Sequence, residues 1–109
     1  MTKLEPQRAQ IAALIQVLNS TRQYLALPGN DFTWSSWHSA EDALAEMDAL
    51  IAQLEQGAIP LHSSVSILFA PTGPIQEVSL SSGWGDDFLK IAARFDEIEP
   101  RLWPADARR

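Results

Sequence analysis

The chain contains no cysteine, which removes disulfide frameworks, thiolate nucleophiles and every metal or cluster site that needs a Cys ligand. Only His and carboxylates are left to hold a metal, and only two histidines, His38 and His62, are present. No stretch approaches the roughly 18 uninterrupted apolar residues of a membrane span. The start, Met1-Thr2-Lys3-Leu4-Glu5-Pro6, lacks the basic and apolar run of a secretory signal. These absences lead to the expectation of a cytoplasmic protein with no membrane partner.

Positive charge is the second scarcity. The eight basic residues sit at the two ends, Lys3, Arg8 and Arg22 and then Lys90, Arg94, Arg101, Arg108 and Arg109. Between Gln23 and Leu89 there is no Lys or Arg, but there are nine acids: Asp31, Glu41, Asp42, Glu46, Asp48, Glu55, Glu77, Asp86 and Asp87. A phosphate backbone requires Lys and Arg to displace its counterions, so nucleic acid is disfavoured as a partner. A basic protein partner or a divalent cation is attracted instead. The plainer reading is that the acids keep the domain soluble.

What is present is a single-domain length of 109 residues with 46% hydrophobic content, enough for one core and too short for two. From Pro6 to about Ala26 the apolar residues Ile11, Leu14, Ile15, Leu18 and Leu25 recur three and four apart, which predicts a helix. Pro6 fits as its first helical residue, Thr2-x-x-Glu5 is a rival capping box, and Pro28-Gly29 stops it. Ser39-x-x-Asp42 predicts the cap of a second helix whose face is Ala40, Ala43, Leu44, Met47, Leu50, Ile51 and Leu54, with Gly57 as its left-handed stop. The linker between them, Leu27 to His38, carries Phe32, Trp34 and Trp37; if extended, Phe32 and Trp34 share a side and allow a third short strand.

Ser64 to Ala70 is rich in β-branched and aromatic residues and reads as a buried strand. Ile75 to Ser81 alternates after the turn Pro71-Thr72-Gly73-Pro74, which predicts a hairpin; the rival is a short helix from Pro74 to Gly83, since Ile75 and Val78 are three apart. After Gly83-Trp84-Gly85, Asp86 or Asp87 opens a last helix with Phe88, Ile91, Ala92, Phe95 and Ile98 on one face, ended by Pro100. Arg101 to Arg109 reads as a partly ordered tail in which Trp103 docks. The expected fold is α+β, mainly α: two long antiparallel helices, a small antiparallel hairpin and a C-terminal helix. The expected core is Ile11, Leu14, Ile15, Leu18, Leu44, Met47, Ile51, Leu54, Ile67, Phe69, Phe88, Ala92 and Phe95.

Catalytic patterns are thin. His38 precedes its helix, so Asp42 meets it only across a distorted cap, and a metal or acid-base pair there is disfavoured. His62 with Ser63 and Ser64 lacks a nucleophile elbow, and neighbours in sequence seldom make a triad. The Thr72-Gly73 turn lacks the lysine of a phosphate loop. Asp86 and Asp87 occupy the helix start that would otherwise hold an anion. No cofactor or metal is expected.

Two functional readings remain. The leading one is a non-enzymatic interaction module, an adaptor, inhibitor or immunity-type protein, with Glu41, Asp48 and Glu55 as an acidic docking face on the second helix. The other is a small-molecule or metal-binding site built from loops, with Trp34, Trp37, Thr72, Gly73, Gln76, Glu77, Gly83, Trp84, Gly85 and Asp86 as its residues. Trp84, between two glycines, is either a plug or a displayed anchor. A homodimer through surplus apolar surface on the first helix is a structural alternative.

Overall fold

The computed structural model describes residues 4–104. Within them the chain forms five helices and no strand: α1 (Leu4–Leu25), α2 (Ala40–Glu55), α3 (His62–Phe69), α4 (Pro74–Ser82) and α5 (Gly85–Leu102). The expected α+β class is therefore corrected to an all-helical fold. The rival capping box at Thr2 and the end of the expected tail, 105–109, lie outside the described residues.

α1 is the shared partner of the two other long helices. It buries Leu14, Val17, Leu18, Thr21 and Leu25, a three-four repeat that continues through the polar Thr21. The Thr21 hydroxyl is satisfied by donating to the Val17 carbonyl at 2.8 Å, so its burial leaves no orphaned group. α2 runs antiparallel along one side: Arg22 of α1 meets Asp48 in mid-α2, and Arg8, Ile11 and Ile15 lie beside Leu54 and Gly57 at the end of α2. α5 runs antiparallel along another side, with Arg94 reaching Ser20 and Arg101 lying by Gln10 and Ala13.

The α2 cap is local chemistry. The Asp42 amide donates to the Ser39 hydroxyl at 3.5 Å, while the Asp42 carboxylate turns back and accepts from the His38 amide at 3.2 Å. Glu41 and Asp42 in the first turn favour the positive end of the helix dipole. Gly57, at φ +83°, stops the helix in the left-handed region.

Both expected strands are helices, and burial explains why. In α3 the covered residues are Val65, Leu68 and Phe69, and in α4 they are Ile75, Val78 and Ser79, a three-four spacing in each. A two-residue period would have put Val65, Ile67 and Phe69 on one face. Instead Ile67, an expected core residue, is 61% exposed. Segments this short and apolar satisfy both periods, and packing on α5 selects the helix. The hairpin turn becomes a helix-to-helix corner with Pro74 at the start of α4, where its missing N–H costs nothing. Gly73 makes the corner tight enough: a Cβ there would stand 2.3 Å from the Ile67 carbonyl oxygen.

Other boundaries also move. No strand forms at Phe32 and Trp34, because the Asp31 carboxylate accepts from the Thr33 amide at 2.8 Å and the Ser35 amide donates to the Phe32 carbonyl at 3.1 Å, which curls the chain into turns. α5 continues past Pro100 to Leu102. Of the expected tail, Arg101 and Leu102 extend α5, and Trp103 is buried with its indole N–H donating to the Pro60 carbonyl at 3.0 Å. Trp103 joins a row with Phe95 and Phe69, whose rings stack at 4.5 Å. Ile11, Ile15, Leu44 and Ala92, expected in the core, are partly buried at its edge, while Trp37, Trp84 and Trp103 lie inside it.

Candidate functional site

The connection from α1 to α2 is fixed at several points. Gly29, at φ +88°, turns the chain back so that Asn30 lies under the end of α1. The Asn30 amide donates to the Tyr24 carbonyl at 2.7 Å and the Leu25 carbonyl at 3.1 Å, closing groups that the helix end leaves open. Its side-chain oxygen accepts from the Trp84 indole at 2.9 Å, and the next amide, Asp31, donates to the Ser82 hydroxyl at 2.9 Å. One asparagine thus ties the α1 terminus and its following loop to the α4–α5 corner.

Trp84 is held from both sides. It is 6% exposed, stacks on Tyr24 with ring centroids 4.9 Å apart, and follows Gly83, whose φ of +88° lets the Trp84 amide donate back to the Ser79 carbonyl at 2.9 Å. The Tyr24 hydroxyl is pushed above the usual tyrosine range, first by loss of water around it and then by the neighbouring Asp87 carboxylate. Trp37 is also buried, and its indole N–H donates to Glu46 of α2 at 3.0 Å. Trp34, three residues earlier, is 72% exposed. The loop therefore places one indole in the core and the other in water.

Beside Trp34 lies a cleft of about 550 Å³ whose walls include Asn30, Asp31, Phe32, Ser35, Trp37 and His38. The Asp31 carboxyl is held below the usual carboxylate range by the Thr33 hydroxyl and then the Thr33 amide, so it stays ionised. The same segment leads into the first turn of α2, where Glu41 and Asp42 are exposed.

The residues of the loop-built site do not all meet. Gly83, Trp84, Gly85 and Asp86 form the α4–α5 corner, whereas Thr72 and Gly73 form the α3–α4 corner at the other end of α4, about 13 Å away for a nine-residue helix. Gln76 and Glu77 lie in the first turn of α4, and neither lines the cleft beside Trp34. Trp84, Thr72, Gly73 and Glu77 are not among the walls of the cleft that Trp37 lines.

Of the acidic face on α2, Glu41 and Glu55 are exposed and Asp48 is shared with α1. Arg22 donates to both Asp48 oxygens, at 2.6 and 3.2 Å. This pairing holds the Asp48 carboxyl below its ordinary range and raises Arg22 above its own, in each case through the hydrogen bond first. One acid of the central span is thereby neutralised by a base from outside it.

Nothing in the sequence pattern singles out Tyr24 or Ser82; the signal for Asn30 is its place directly after Pro28-Gly29, the pair that stops α1. Glu99 was missed too. It pairs with the His62 Nε2 at 2.6 Å, both groups half-buried, and His62 packs against Trp103 with ring centroids 5.3 Å apart. Among the described residues no group of three His, Asp or Glu side chains is arranged to hold a metal ion, and no helix is long and apolar enough to cross a membrane. No protein-family model, curated protein or solved structure matches the chain.

Proposed function

We propose that the protein is a non-enzymatic interaction module that docks a basic segment of a partner protein through Trp34 and the carboxylates around it. The observation that carries this reading is the 72% exposure of Trp34 on a loop tied down by Asn30, Asp31 and Trp37. A large indole left in water costs about 1.5–3 kcal/mol relative to burial, and covering it by a partner recovers that amount. Because the loop is already ordered, little further conformational entropy is lost when it binds.

The charge supports a cationic occupant. Asp31 stays ionised, Glu41 and Asp42 follow in the next turns, and no Lys or Arg lies between Gln23 and Leu89 to repel a lysine or arginine. An arginine over the Trp34 ring adds a cation–π contact of about 0.5–2 kcal/mol. A cytoplasmic location is part of the same proposal and is supported by the cysteine-free composition.

Titration calorimetry with an arginine-rich peptide as the probe tests the reading. The wild-type chain should bind with an affinity that falls as salt rises. Trp34→Ala should weaken binding about tenfold or more while leaving the thermal midpoint unchanged, as for a central anchor residue. Equal binding by Trp34→Ala, or affinity indifferent to salt, would refute it.

A further inference from the structure

Among the described residues the outward face of α5 has no partner, and its charges are arranged in a self-complementary order. Phe88, Ile91, Phe95, Ile98 and Leu102 turn inward. Opposite them, Asp86, Leu89, Lys90, Ala93, Glu97 and Arg101 are all exposed, and Leu89 leaves 60% of its surface in water. None of these four charged side chains enters an ion pair among the described residues.

Asp86, Lys90, Glu97 and Arg101 follow one another at steps of four, seven and four, so they share one stripe of the helix. Their signs run negative, positive, negative, positive. They are also placed symmetrically about the midpoint between Ala93 and Arg94, two on each side at matching distances. When a second α5 is laid antiparallel with its midpoint on the first, Asp86 faces the partner's Arg101 and Lys90 faces the partner's Glu97. The two-fold axis repeats both pairs, giving opposite charges along about 22 Å of helix. The same order also favours pairs within one helix, at Asp86 with Lys90 and Glu97 with Arg101. Pairing inside a helix requires neither the mirror placement about Ala93 and Arg94 nor an exposed leucine beside it.

The relief of this face fits the same occupant. The small Ala93 at the centre allows two helix backbones to approach closely. On either side α5 is bordered by a groove, one against α1 with Gln10, Ala13 and Val17, the other against α3 and α4 with Phe69, Pro71 and Gln76. Leu80 of α4 adds apolar surface at the rim: a Cβ on Gly85 would stand 3.1 Å from its Cδ2, and Leu80 is 63% exposed. We infer that this face of α5 is a two-fold interface for a second copy of the same chain, held by the Asp86–Arg101 and Lys90–Glu97 pairs around Ala93 and Leu89. It lies on a different element from the Trp34 loop, so the two surfaces can be tested separately.

Sedimentation equilibrium of the full chain over a wide concentration range decides it. The wild-type chain should form a concentration-dependent dimer that weakens with added salt. Lys90→Glu, which sets a carboxylate against the partner's Glu97, should raise the dimer Kd roughly tenfold or more. The double exchange Lys90→Glu with Glu97→Lys restores complementarity with itself and should recover the dimer, yet it should not pair with the wild-type chain, where like charges meet. A wild-type chain that stays monomeric at every concentration, a Kd unmoved by Lys90→Glu, or a double exchange that fails to recover would each overturn the inference.

Discussion

The indole N–H of Trp84 donates to the side-chain oxygen of Asn30 at 2.9 Å, across 54 positions of sequence. Because the same asparagine caps α1 through its amide, this bond joins the first helix to the α4–α5 corner and holds the base of the loop that displays Trp34. Asn30→Ala leaves a buried indole donor without a partner, which costs about 1–3 kcal/mol. Thermal unfolding should therefore show a clear drop in midpoint, with a smaller drop for Asn30→Ala in a Trp84→Phe background, where no indole donor remains and only the α1 cap is lost. Equal costs in both backgrounds would place the stabilisation elsewhere.

Gly73 and Gly83 are glycines for different reasons, and alanine distinguishes them. At Gly83 the backbone φ of +88° disfavours a side chain, at a cost of about 1–2 kcal/mol, but nothing stands within 4 Å of the new Cβ. At Gly73 the Cβ would press into the Ile67 carbonyl at 2.3 Å, so the α3–α4 corner has to open. Urea unfolding should rank Gly73→Ala as the more damaging of the two.

The α3 segment gives a direct check on helix against strand. Ile67→Lys, at an exposed position, should change stability by no more than about 0.5 kcal/mol, whereas Leu68→Ala should cost about 2–5 kcal/mol. A strand with Ile67 facing the core predicts the reverse order.

Acid should loosen the α1–α2 contact. Asp48 and Asp31 have carboxyls held below their ordinary range, by Arg22 and by Thr33 respectively. A group depressed in the folded state contributes stability that is fully present above the unfolded value of about 3.9 and is lost as pH falls through the lower folded value. Urea midpoints should thus be flat from neutrality to about pH 5 and fall below about pH 4. Asp48→Asn should remove part of that acid slope, and a slope unchanged in this variant would mean that the Arg22 pair does not contribute.

The long helices were legible because their apolar repeats extend over several turns, as in Leu14, Leu18 and Leu25 or Ala43, Met47, Ile51 and Leu54. The class failed at α3 and α4, where eight and nine residues are too few for the period to declare itself and β-branched Val65 and Ile75 favour a strand locally. Pro74 and the Ile75–Val78 spacing carried the helical rival, and the fold follows that rival. Ile67 shows the cost of the error, since the wrong period moved it from solvent to core. In the candidate site, Trp34 and Trp37 looked alike because both sit in one loop. What separates them is the Glu46 carboxylate, which accepts from the Trp37 indole N–H, and nothing near Trp37 in sequence announces that contact. The Asn30 joint was half visible: its bonds to the Tyr24 and Leu25 carbonyls are local to the end of α1, whereas the bond to Trp84 depends on packing across 54 positions.

The most direct test of Trp34 as the docking anchor is acrylamide quenching of tryptophan fluorescence, measured with and without an arginine-rich peptide. Trp37, Trp84 and Trp103 are buried, so Trp34 should supply most of the quenchable emission, and the peptide should shield it and shift its emission to the blue. In Trp34→Phe most of the quenchable fraction and the peptide effect should disappear. Quenching undiminished in Trp34→Phe, or a wild-type signal that the peptide leaves untouched, would contradict the account.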